Sequence, residues 1–259
     1  MEITKKKKKQ CNDGREAQLL EFIKSHPRRS EMDGSPETVL AAIDEFGCTK
    51  DFLMNVGREK GHVVTDMIAR QKPTTVLEIG GYIGFSAILF GNELRKAGGQ
   101  KYLSLELNPT FAHVARELVA LAGLELTVEI IEGPCRDSLR KIKHQDMDGT
   151  AFDMIFIDHA KVLYLNELKL CEDLGFVTPG TTVIADDIIQ SNNVEYSAYV
   201  RESPAQKKQR FEEERANRRG GDVSLGNPNL IYETALYRGR EPTGGDVRRV
   251  FTVSSRVLC

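Results

Sequence analysis

The stretch FDMIFIDHAKVLY, residues 152–164, is apolar apart from Asp153 until it reaches Asp158, His159, Ala160 and Lys161. One charged residue at the end of such a run would mark the surface. An acid, an imidazole and an amine within four positions suggest chemistry. A second run, TTVIADDIIQ at 181–190, ends the same way in Asp186 and Asp187. Strands of a parallel sheet covered on both faces are apolar nearly throughout, and their carboxyl ends open onto the ligand crevice. If these two strands are neighbours, three carboxylates converge and repel one another unless a cation sits among them. All-oxygen donors suit a hard metal such as Mg²⁺. The plainer alternative is that the acids cap the helices that follow. A single Asp would favour capping; the DD pair together with DHAK favours the metal.

A second constellation lies earlier. VLEIGGYIGFSAI carries Glu78, Gly80 and Gly84 in an E-x-G-x-x-x-G pattern, where glycines at a strand-to-helix turn let the backbone approach a ligand. Tyr82 stands where the dinucleotide motif requires its second glycine, the one that admits a pyrophosphate. The next strand, YLSLELNP, ends in Glu106, 22 residues after Gly84, where an acid is the expected acceptor for ribose hydroxyls. Together these residues favour a nucleoside ligand without a pyrophosphate, a description that S-adenosylmethionine fits.

The elements that must position these residues follow from hydrophobic periodicity. Strands are expected near Thr75–Ile79, Tyr102–Glu106, Leu126–Ile131, Phe152–Ile157 and Thr181–Ala185. Helices are expected near Ser86–Lys96, Thr110–Ala122, Arg136–Lys143 and Val162–Asp173. Amphipathic helices near Glu16–Ser25 and Pro36–Phe46 precede them, the second with Ser35 as N-cap. The loop FLMNVGREKG then leads into a helix ending near Arg70. This alternation predicts a doubly wound α/β sheet. Residues 202–228 are highly charged and read as an exposed insertion. Two final β-like runs, Leu230–Tyr237 and Arg248–Val257, flank EPTGG, a hairpin turn. The first 14 residues read as a disordered basic tail, and 15–259 as one domain.

Composition narrows the classes. The 259 residues are 40% hydrophobic with net charge −2, so no nucleic-acid partner is expected. Lys5–Lys9 reads as a solvated tail. No apolar stretch reaches the roughly 18 residues of a membrane span, and the charged start lacks a signal-peptide core. Five scattered cysteines without a CxxC suit reduced thiols in the cytoplasm.

MNVGREKG, VLEIGGYIGFSA, LSLELNP, DMIFIDHAK and VIADDII together closely resemble the catechol O-methyltransferase family, in order and in spacing, over about residues 15–201. The resemblance implies a Rossmann-like methyltransferase fold with a mostly parallel seven-stranded sheet and a C-terminal antiparallel hairpin. It implies S-adenosylmethionine and Mg²⁺ as cofactors and a small-molecule diphenol as acceptor; a monomer is expected, and composition points to the cytoplasm without membrane attachment. Residue by residue, it assigns Asp158, Asp186 and Asp187 to the metal and Lys161 to the general base. It gives Glu106 to the ribose, with Leu107 beside it, and His159 and Cys135 to the neighbourhood of the adenine. Met54, Asn55 and Val56 would wrap the methionine end, with Glu78, Gly80, Tyr82 and Ser86 around it. Glu78 has a second reading, a strand-end carboxylate bonding to backbone amides of the turn.

The chemistry such a site requires can be reasoned separately. Displacement at a sulfonium methyl needs a deprotonated, aligned oxygen, and a phenol with pKa about 10 is mostly protonated at neutral pH. A bound dication stabilises the phenolate and orients it. Lys161 accepts the proton only in its neutral form, which neighbouring positive charges favour. The chain also departs from the animal enzymes. Asp187 replaces an Asn, Phe52 and Ala160 replace tryptophans that flank the catechol, and Cys135 and Arg136 replace a Ser-Gln pair. For the acid that binds the second hydroxyl, Asn229 and Glu233 are the candidates. Competing readings are another metal-chelating acceptor, a catalytically silent S-adenosylmethionine-binding scaffold, and an NAD-dependent oxidoreductase, the last opposed by Tyr82.

Overall fold

The computed structural model describes residues 12–145, 151–188, 193–217, 223–239 and 249–258; the lysine run, the EPTGG turn and residues 218–222 lie outside them. Three helices lead, α1 (Arg15–Lys24), α2 (Pro36–Thr49) and α3 (Arg58–Gln71). Strand and helix then alternate through β1 (Thr75–Ile79), α4 (Phe85–Lys96), β2 (Lys101–Glu106), α5 (Pro109–Leu121), β3 (Val128–Glu132), α6 (Cys135–Gln145), β4 (Met154–Ile157), α7 (Tyr164–Asp173) and β5 (Thr182–Ala185). The chain closes with α8 (Val194–Tyr199), α9 (Pro204–Ala216), β6 (Ile231–Gly239) and β7 (Arg249–Leu258).

The seven strands form one sheet in the order β3-β2-β1-β4-β5-β7-β6. β1 to β5 are parallel, and β7 is antiparallel to both of its neighbours. This is the sheet and the hairpin that the sequence predicts. Alternate residues of each central strand serve opposite faces. Val76, Tyr102, Phe156 and Ile184 pack with α1 to α5, whereas Leu77, Leu103, Ile157 and Val183 pack with α6, α7 and α8. MIFI of β4 and TVIA of β5 are buried at every position, which explains why they read as continuous apolar runs.

Four local expectations need correction. α3 starts at Arg58, so Lys60 and Gly61 belong to its first turn and not to a loop; Gly57, at φ 73°, ends the preceding extended segment. Ser35 occupies the N-cap position of α2, but its hydroxyl pairs with Thr38 Oγ1 (2.8 Å) and caps no amide. Lys161–Leu163 form a 3₁₀ turn, and α7 begins only at Tyr164. The strand expected from Leu126 starts at Val128, because Thr127 and Val128 both donate to the Leu124 carbonyl in a turn that leaves Leu126 exposed.

The larger correction concerns residues 202–228. Residues 204–216 form α9, begun by a capping box between Ser203 and Gln206. Its inward residue is a lysine. Lys207 is buried, pairs with the buried Glu172 (3.3 Å), donates to the Leu230 carbonyl (2.5 Å), and lies over the Tyr199 and Tyr232 rings. Hydrophobic patterning does not register a core residue whose apolar stem is buried and whose charge is paired. Because β7 is antiparallel to both β5 and β6, β6 runs parallel to β1–β5, and its start lies at the amino end of the sheet. The Lys207 cluster is therefore remote from the carboxyl-end crevice.

Candidate active site

The carboxyl ends of β4 and β5 bring the first two acids together. Ile157 and Ala185 are paired in register, the Asp186 amide donates to the Ile157 carbonyl (3.0 Å), and the Asp158 amide donates to the Ile79 carbonyl (2.9 Å). Asp158 and Asp186 thus stand on adjacent strand ends. Asp158 Oδ1 accepts from Lys161 Nζ at 2.8 Å. Asp186, almost fully buried, pairs through Oδ2 with the equally buried Lys60, while its Oδ1 is buried without a hydrogen bond. Burial pushes the Asp186 carboxyl above the usual carboxylate range, and the charge of Asp158 adds to the effect. Asp187 follows with φ 56°, a left-handed conformation that Asn and Asp tolerate better than most residues. Among the described residues, no three His, Cys, Asp or Glu side chains are gathered as a ready-made metal cage. The ammonium groups of Lys60 and Lys161 lie against the acids instead.

Lys161 is held on three sides. Its Nζ donates to Asp158 Oδ1, to the Tyr164 hydroxyl (2.6 Å) and to the Asp186 carbonyl (3.3 Å), and Tyr164 donates to that same carbonyl (3.1 Å). His159 stacks on Tyr164, with ring centroids 5.3 Å apart. Both of its nitrogens are buried without hydrogen bonds, and burial, aided by the charge of Lys161, lowers its pKa to about 4. It is a neutral ring with unmet polar atoms, as a ligand contact would be. Ala160 between them is exposed.

The ends of β1 and β2 form the other half. Gly80 has φ 100°, and a Cβ there would lie 2.7 Å from the Asp158 carbonyl and 2.8 Å from His159 Cβ. Glycine at this position is thus demanded by the close approach of the β4 end, a reason internal to the fold. The Gly80 and Gly81 amides both donate to the Leu105 carbonyl, so Glu78 does not serve them, and that reading of Glu78 is set aside. Glu78 is fully buried; Oε2 accepts from Ser104 (2.5 Å), and Oε1 has no hydrogen bond. Burial raises its pKa to about 7, against the opposing hydrogen bonds of Ser104 and Ser86. Glu106 is organised by the turn, since Oε2 accepts from the Tyr82 amide and Oε1 from the Asn108 amide, both at 2.8 Å. Asn108 also caps α5 by accepting from Thr110 (2.9 Å).

The remaining cofactor candidates differ in exposure. Val56 is buried, Met54 and Leu107 are exposed, and Asn55 holds a buried Oδ1 without a partner. Cys135 opens α6 half-buried, and burial together with the charge of Glu167 pushes its thiol far above the ordinary range. Tyr82 adopts φ 45°, packs edge-on against Phe111, and donates its hydroxyl to Glu16 at 2.7 Å.

Three residues at this end of the sheet escaped the sequence reading. Lys60 lay within the quoted MNVGREKG without a role. Glu16 and Arg15, both buried at the start of α1, reach Tyr82 and the Phe52 carbonyl (2.5 Å) respectively. Two charged residues at a helix start read as ordinary polar positions, and only the tertiary contact distinguishes them. The register also displaces the two candidates for the second acceptor hydroxyl. Leu236, through Thr252, lies level with Ala185, whereas Glu233 lies further toward the amino end and Asn229 precedes β6 altogether. Neither reaches the crevice end of the sheet.

The sequence matches the family model described as O-methyltransferase over residues 32–219. It is 36% identical over 193 residues to catechol O-methyltransferase B of Danio rerio, covering 74% of this chain and 70% of that protein. It is 34% identical over 189 residues to catechol O-methyltransferase of Mus musculus, covering 73% and 69%. The fold matches the O-methyltransferase TomG from Streptomyces achromogenes, solved in complex with SAM, with a TM-score of 0.57 at 23% identity over 87% of this chain and 91% of that one. The chain belongs to the O-methyltransferase family, in the class I, S-adenosylmethionine-dependent group that contains the catechol O-methyltransferases. Among the described residues, no helix is long and apolar enough to cross a membrane.

Proposed function

We propose that this protein transfers a methyl group from S-adenosylmethionine to one hydroxyl of a catechol or similar vicinal diphenol, with Mg²⁺ at Asp158, Asp186 and Asp187 and with Lys161 as general base. The observation that carries this reading is the pairing of Asp158 and Asp186 on adjacent strand ends, with Lys161 bridging them. The donor set fits a hard cation, because Asp186 Oδ1 is a buried carboxylate oxygen without a hydrogen bond and Asp158 has one oxygen outside its lysine contact. When bound, Mg²⁺ supplies Lewis acidity that favours the phenolate.

The cofactor half fits as well. Glu78 Oε1 and Asn55 Oδ1 are buried acceptors without donors, which suits the ammonium of a methionine end. The Glu106 oxygens accept the Tyr82 and Asn108 amides, and a carboxylate oxygen has a second lone pair that suits a ribose hydroxyl. S-adenosylmethionine, when bound, supplies the electrophilic methyl group. Lys161 in its neutral form would take the hydroxyl proton at Nζ and become the ammonium that Asp158, Tyr164 and the Asp186 carbonyl are placed to hold. A second reading keeps this chemistry and changes the acceptor to another chelating small molecule; the exposed Ala160, where the animal enzymes have an indole, favours it. The test is methyl transfer to a panel of vicinal diphenols, monophenols and non-phenolic chelators. Methylation confined to vicinal diphenols supports the catechol assignment, and equal rates on monophenols overturn it.

A further inference from the structure

Neither the motifs nor the family resemblance gave Lys60 a role, yet it is among the most buried charges in the described structure, at 1% exposure. Its ammonium pairs with Asp186 Oδ2. On the neighbouring strand end, Lys161 takes Asp158 Oδ1. The two lysines therefore act alike, each engaging one oxygen of one acid. For Asp186 the result is sharply defined, because Oδ2 is held and Oδ1 is buried without a hydrogen bond. Asp186 directly follows β5, its amide bonded to the Ile157 carbonyl of β4, and Lys60 lies in the first turn of α3, which packs against α4, so both ends of the pair are tied to regular structure.

A carboxylate with one oxygen committed to an ammonium presents one oxygen to a cation. Mg²⁺ takes six ligands in near-octahedral geometry and accepts carboxylates singly, whereas Ca²⁺ takes about 6–8 and commonly uses both oxygens of an acid. We propose that Lys60 is a positioning and specificity-determining residue that keeps Asp186 a one-oxygen ligand and thereby selects Mg²⁺-sized cations over Ca²⁺. The inference rests on the cation site of the proposed function. It also accounts for a cationic side chain at a site meant for a cation. Lys60 gives up part of the attraction in exchange for a fixed denticity.

The test reads cation binding directly, without acceptor and without turnover. Mn²⁺ is titrated into the full-length protein, followed by the loss of its free electron-paramagnetic-resonance signal, and then displaced with Mg²⁺ or Ca²⁺. Wild type should release Mn²⁺ at about tenfold or more lower Mg²⁺ than Ca²⁺, and Lys60→Met should shrink that ratio about tenfold by freeing Oδ2. Lys60→Arg keeps the charge but offers a planar fork that engages both oxygens, so affinity for both cations should fall with the ratio little changed. Thermal melts establish that each variant is folded, and Lys60→Arg decides the matter alone if Lys60→Met is not. An unchanged Mg²⁺-to-Ca²⁺ ratio in folded Lys60→Met, or full cation affinity in Lys60→Arg, overturns the role of Lys60 while leaving the cation site standing. Wild-type protein that binds no Mn²⁺ overturns both.

Discussion

Asp158 and Asp186 stand side by side because Ile157 and Ala185, the residues before them, are paired in register on adjacent parallel strands. A shift of one residue in that pairing would turn one of the acids to the opposite face of the sheet. The register is secured by strands buried at every position, so the site inherits its geometry from the core. Asp158→Ala and Asp186→Ala should each abolish methyl transfer, with S-adenosylmethionine affinity by calorimetry changed little, because Glu78 and Glu106 lie on other strands. A parallel loss of cofactor affinity would show that the acids serve the cofactor half.

Glu106 holds the turn amides of Tyr82 and Asn108 and, in the proposed function, the ribose. Glu106→Ala should weaken S-adenosylmethionine by roughly 1.5–3 kcal/mol, the typical worth of a hydrogen bond to a charged group. Calorimetry on the variant checks this. If wild type bound NAD in preference to S-adenosylmethionine, the cofactor assignment would fall with it.

Stability should depend on pH through Glu78. Burial holds its folded-state pKa at about 7, above the ordinary value of 4.5, so the folded protein binds the proton more tightly than the unfolded chain. Its contribution is fully present below pH 4.5 and is lost as pH rises toward 7, on the order of 3 kcal/mol at about 1.4 kcal/mol per unit. Denaturation of Glu78→Gln against wild type, in the absence of cofactor, should give a stability difference that shifts in favour of the variant over this window. A pH-independent difference would contradict the assignment.

Lys207 separates stability from catalysis. Lys207→Ala leaves Glu172 buried without its cation, and breaking such a pair costs about 3–5 kcal/mol. The melting temperature should fall substantially, while kcat/KM of the folded fraction stays near wild type because the cluster lies at the amino end of the sheet. A selective loss of activity at unchanged stability would place α9 in the catalytic machinery.

The strands were legible because their burial on both faces produced uninterrupted apolar runs, and Asp158, Lys161 and Asp186 stood out as candidates because charges interrupted those runs abruptly. It did not reveal Lys60, whose partner is 126 residues away, or Lys207, whose partner is 35 residues away. A buried lysine has the same letter as a solvated one. Gly80 was legible as a turn residue, but its physical reason, the approach of the Asp158 carbonyl, belongs to the tertiary fold.

Residue 160 bears on the acceptor. In the proposed function the exposed Ala160 stands where the family resemblance places an indole, so small catechols would lose apolar contact at about 25 cal/mol per Å². Ala160→Trp should raise kcat/KM for simple catechol and lower it for bulkier diphenols. An unchanged ranking across a size series would mean that residue 160 does not face the acceptor.

In the proposed function, methyl transfer depends on a divalent cation held at Asp158 and Asp186. It is tested most directly by the initial rate of labelled methyl transfer from S-adenosylmethionine to a diphenol as Mg²⁺ is removed with a chelator and then restored. The rate should fall to background in chelator, return on Mg²⁺ addition, and stay at background in Asp186→Ala under either condition. Full activity in excess chelator would contradict it.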